Sequence, residues 1–187
     1  MEIKIYFTIT DFNEKYYPLE MEQIQEEFQR IMDECHNKCD NCNSNSIKYT
    51  WEKVKKCPSN LGLQYTGGGC SHKNVTGYNV CLEAVTQTGG HVGYSAKNIT
   101  TVDFDAIAKM DITPARKITH SICAGIVLAH EILFHSIGGE YDSFSKSDNA
   151  DNVDAMGGIN NTKICNANTT LSEDACQAIC KTLDILS

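Results

Sequence analysis

The sequence predicts an α/β (α+β) fold, and three observations carry that assignment. A β-rich segment opens the chain at residues 3–10, "IKIYFTIT", where apolar and polar positions alternate among β-branched and aromatic side chains. An amphipathic run follows at 19–35, with Met21, Ile24, Phe28, Ile31 and Met32 at helical spacing and charges opposite. Several short β-prone pieces then precede a long apolar helix. The order is therefore strand, helix, strands, long helix, irregular segment and last helix, with no internal repeat and no dividing linker.

Each element has a local reason. Pro18 opens the first helix, which ends near Cys35. Residues 36–60 are rich in Asn, Cys and Lys and predict a stapled loop around one strand, "SIKYTWEKV". Between 61 and 100, "LGLQYT", "YNVCLEAVT" and "HVGYSA" predict strands separated by Gly67–Gly69 and Gly89–Gly90 turns. The triple glycine is followed by no GK[ST] and opens no helix, which removes a phosphate loop from consideration. Residues 101–112 are expected to be irregular. Thr113-Pro114 is expected to begin the long helix, which reaches about Ile137 and stops at Gly138-Gly139. Residues 140–170 show no strong period. Ser172 then caps a C-terminal helix carrying Cys176 and Cys180 on one face.

Bulk properties bound the function. The 187 residues suit one domain with a single core. The net charge of −8, with no Lys/Arg run, disfavours nucleic acid and anionic membrane surfaces as partners. No stretch reaches the roughly 18 apolar residues that span a bilayer. Ten cysteines, an even number set among Gly and Asn, favour disulfides and an oxidising compartment. The glycosylation acceptors Asn74, Asn98, Asn160 and Asn168 agree with a secreted glycoprotein. The opening "MEIKIYFTITDF" lacks the apolar run of a signal peptide, so a secreted form is expected to be mature or trimmed. A competing reading is a cytosolic thiol protein with zinc at Cys35, Cys39 and Cys42, joined by His36.

The stretch "VLAHEILFHSIGGEYD", residues 127–142, carries the chemistry. A zinc hydrolase needs protein ligands, an open position for water and a carboxylate base beside it. Two histidines one helical turn apart meet these needs, with a Glu next to the first and a Gly that lets the chain return a third ligand. His130, Glu131, His135 and Gly138 follow that arrangement, and "DNVDAMGG" places Met156 in a Gly-flanked turn downstream.

Over residues 127–158 the chain resembles the metzincins, zinc endopeptidases with an HExxHxxGxxH/D motif and a Met-turn, and "GGEYD" is nearest their reprolysin-like pattern. The resemblance implies a twisted, mostly parallel sheet with one antiparallel edge strand, a long active-site helix, a Met-turn and a C-terminal helix. It implies one catalytic domain over 1–187, with sub-domains of about 1–138 and 139–187. It further implies Zn2+ held by His130, His135 and either Asp142 or Tyr141, with Glu131 as general base and Met156 beneath the metal. The partner would be a protein or peptide substrate, the protein a monomer, and an edge strand near His91 would line the substrate.

This sequence departs from the pattern twice. Tyr141 occupies the third-ligand position, with Asp142 one residue on and Glu140 also close. The spacing is HExxxH. Five residues of regular α-helix turn the direction by about 140°, against about 40° for four. One π-type turn, at about 4.4 residues per turn, brings the two imidazoles within roughly 50° of each other. The bland reading is a buried core helix in which Glu131 and His135, four apart, pair without a metal. The departures are also what a degenerate metzincin would show, one that keeps the fold as a secreted binding or inhibitor module. A purely structural Cys-rich secreted protein is the third possibility.

Overall fold

The computed structural model describes residues 2–37, 48–65, 75–85, 93–96, 98–112, 119–132 and 165. These form strands and helices in the order β1 (Glu2–Phe7), α1 (Phe12–Lys15), α2 (Met21–Asn37), β2 (Lys48–Lys53), β3 (Gly62–Tyr65), β4 (Val75–Ala84), β5 (Gly93–Ala96), β6 (Ile99–Val102), α3 (Phe104–Ala108) and α4 (His120–His130). The class is α/β.

One six-stranded sheet organises them, in the order β2-β1-β4-β6-β5, with β3 paired to β4 off this path. The strands β2, β1, β4 and β6 are mutually parallel. Strand β5 is an antiparallel edge. The metzincin resemblance implies one antiparallel strand, but the structure contains a second, because β3 also runs antiparallel to β4. Consecutive strands joined by a short connection can pair only this way, since parallel pairing needs a longer crossover.

Register puts the apolar positions on one continuous face. Tyr49 and Trp51 of β2 stand beside Ile3 and Ile5 of β1, and these stand beside Tyr78 and Val80 of β4. Leu82 continues the row to Thr100 of β6. A slip of one residue would turn the whole row to the other face, so burial fixes the register. Phe28 of α2 packs edge-on against Tyr49 and Trp51, and Ile24, Phe28, Ile31 and Met32 are buried in the same core. On the opposite face, Lys4 reaches Glu52 at 3.5 Å and Thr50 donates to Glu2 at 2.9 Å. Cys81 on that face is bridged to Cys57, which ties the chain after β2 to a central strand.

Three local expectations are corrected. Residues 101–112 are not irregular: β6 runs to Val102 and α3 follows. The Asp103 carboxylate accepts from the Ala106 amide at 2.9 Å and so caps α3, while Phe104 packs edge-on against Phe12. Helix α2 begins at Met21 rather than at Pro18, which follows Tyr17 through a cis peptide. The helix carrying His130 begins at His120, not at Pro114. Thr119, in extended backbone, accepts from the Ile122 amide at 3.2 Å and supplies the N-cap.

Helix α4 packs along α2. Gly125 is the point of close approach: a methyl there would stand 2.7 Å from Glu27 Cβ and 2.9 Å from the Ile24 carbonyl oxygen. Ser121 adds a polar tie, accepting from the Glu20 amide at 2.9 Å.

Replacing Gly125 with Ala gains about 1 kcal/mol of helix propensity but overpacks the crossing, typically at about 1–3 kcal/mol. The Ile24 carbonyl is backbone and cannot swing aside, so the overpacking wins. Gly125→Ala is expected to lower the urea midpoint, and Gly125→Val to lower it further.

Tyr78 provides a pH test. Burial pushes its phenol from the ordinary 10.0 up to about 12, and its hydroxyl donates to Asn98 Oδ1. Above pH 10 the unfolded chain releases this proton while the folded chain retains it. The contribution to stability is therefore whole below about pH 10 and lost as pH rises towards 12. Tyrosinate absorbance should show a late-titrating group that Tyr78→Phe removes.

Candidate metal centre

Helix α4 is buried from Cys123 to His130, and its apolar residues include Ala124, Ile126, Val127, Leu128 and Ala129. A helix apolar on all sides belongs to the interior. At its end this one places two polar side chains in that interior, His130 at 2% exposure and Glu131 at 1%. Burying a carboxylate is costly unless a proton, a cation or hydrogen bonds compensate it, so their placement singles out this end of the helix.

The backbone changes at the same point. Glu131 and Ile132 lie in a π-type turn directly after the α-helical residues. The Glu131 amide still reaches the Val127 and Leu128 carbonyls. A π-type turn is a rare feature, concentrated at functional sites, and it falls inside the interval from His130 to His135 that the motif spacing singles out.

Strand β5 supplies the neighbour. Gly93, its first residue, pairs with Val102, the last residue of β6. A methyl on Gly93 would stand 2.5 Å from Glu131 Oε1, 2.7 Å from Cγ and 2.8 Å from Cδ. The carboxylate thus lies against the edge-strand backbone, at the carboxyl end of β6. That end of the parallel strands is where α/β sheets place their ligand crevices. The contact joins residues 38 positions apart and leaves no trace in local sequence.

A bridge from Cys123 to Cys165 fixes a downstream segment to α4 about two turns before His130. The two bridges agree with the expected disulfides. His120, which no motif spacing implicates, has a structural place: its Nε2 lies 2.9 Å from the Met110 carbonyl oxygen. A carbonyl only accepts, so Nε2 carries the proton.

The described residues thus bring together His130 and Glu131. His135, Glu140, Tyr141, Asp142 and Met156 lie outside them, as do His72, His91, Cys39, Cys42 and the expected C-terminal helix with Cys176 and Cys180. Among the described residues, no group of three or more His, Cys, Asp or Glu is gathered closely enough to hold a metal ion. The donor chemistry of the pair itself fits zinc: an imidazole that binds as a neutral ligand, with a carboxylate beside it to serve a bound water. The residue that sequence reasoning missed is Gly93. Its only local signal is a glycine inside the β-prone piece "HVGYSA", which can mark close backbone approach. No family model, no curated protein and no solved structure matches the chain.

Proposed function

We propose that the protein is a zinc-dependent endopeptidase of metzincin type. The observation that carries this reading is the buried His130–Glu131 pair, where α4 passes into a π-type turn and Glu131 lies against the first residue of an antiparallel edge strand. Four parallel strands with the antiparallel β5 at the edge beyond them support this reading, while the antiparallel β3 departs from the single antiparallel strand that the motif resemblance implies.

On this reading His130 and His135 hold the metal, with Asp142 or Tyr141 completing the set. Zinc, when bound, supplies a Lewis acid that acidifies a water and offsets negative charge developing on the peptide carbonyl oxygen. Glu131 does the proton work. Its carboxylate takes a proton from the attacking water and returns it to the leaving amine. The edge strand beside it offers a backbone to an extended peptide, which pairs by strand addition.

The disulfides Cys57–Cys81 and Cys123–Cys165 support a secreted or otherwise extracytoplasmic location. None of the described helices is long and apolar enough to cross a membrane.

Metal analysis of the purified protein tests the reading. We expect about one zinc per chain, lost in His130→Ala and in His135→Ala, and peptide cleavage that a chelator stops. Zinc-free protein, or cleavage indifferent to chelator, would sink the proposal and leave the degenerate binding module.

Glu131→Gln should retain the metal and lose about 10²- to 10⁴-fold in kcat. Normal turnover in that variant would remove Glu131 from its role.

A further inference from the structure

We infer that Gly93 is a positioning residue for Glu131: the space left by its missing side chain is what holds the carboxylate against the edge strand. The inference rests on the hydrolase reading above. Backbone conformation does not account for this glycine. Among the described residues the left-handed region is occupied at Gly62, where φ is 96°, and not at Gly93. Glycine inside a strand weakens it, since it has no side chain to pack and loses more entropy on folding. Space explains it better. A methyl at 93 would overlap Oε1, Cγ and Cδ of Glu131 together, so the clash runs along the side chain rather than at its tip.

Nor can the carboxylate swing out to solvent. Glu131 is 1% exposed, and Val102, the pairing partner of Gly93, is fully buried. Restoring ordinary contact of about 3.5 Å from the 2.5–2.8 Å overlaps requires the carboxylate to move by roughly 1 Å. A misplacement of that size at a reacting group costs on the order of 10²-fold in rate. The three heavy atoms nearest the added methyl all belong to Glu131, so turnover is the property expected to fall.

Gly93→Ala provides the test, with zinc content, steady-state kinetics on a peptide substrate and thermal unfolding measured together. We expect about one zinc per chain, KM within about threefold of wild type, and kcat lower by about 10- to 100-fold. Tm should fall by about 2–10 °C. In a Glu131→Ala background the same methyl should cost no Tm, because the atoms it strikes are gone. If Gly93→Ala does not fold, Gly93→Ala/Glu131→Ala should fold, and failure of both would overturn the inference. An active wild type with kcat unchanged in Gly93→Ala would overturn it and leave the hydrolase reading standing. So would an equal Tm loss in both backgrounds. A wild type without chelator-sensitive hydrolysis would overturn both readings.

Discussion

Burial of two ionisable side chains at the end of an apolar helix is the constraint on which the candidate site depends. Helix α4 fills the interior between α2 and the sheet edge, and its residues from Ile122 to Ala129 are all apolar. Its last turn nevertheless holds an imidazole and a carboxylate away from solvent. The core has to hold them there, and the features around α4 can be read as the means. Gly125 lets α2 approach, Thr119 and Ser121 anchor the helix start, and Cys123 bolts it to residue 165.

The sheet contributes its edge. Because β5 runs antiparallel to β6, its first residue lies beside the last residue of β6. That geometry brings Gly93 to the end of the parallel strands, and the helix delivers Glu131 to the same spot. A site formed where a helix end meets a strand end is held by two rigid elements. On the proposed reading this suits a proton-transferring carboxylate, since proton transfer depends on geometry before it depends on pKa.

Much of the fold was legible in the chain. Alternation marked β1 and β2, and helical spacing marked α2, since one-sided burial leaves a period in the sequence. The elements that leave little local signal are short or begin at a cap. Ile99–Val102 is only four residues long, and α3 is announced by little more than Asp103 before Phe104. Proline is a loud local signal and points to Pro114 as the helix start, whereas the Thr119 cap is revealed by its hydrogen bond to the Ile122 amide. Strand β3 is legible in "LGLQYT", but its direction is not, as pairing sense belongs to the partner and not to the segment.

The sequence by itself determined the residue types of the site and the anomaly in their spacing. Five residues from His130 to His135 are fixed by counting, and so is the need for about one extra residue per turn if both rings are to face one ion. Tertiary structure decided that Glu131 is buried, that the chain takes a π-type turn there, and that Gly93 is its neighbour. The physical reason is range. Periodicity and spacing act over one or two turns of chain, while burial and steric contact are set by segments that meet only after the sheet has assembled.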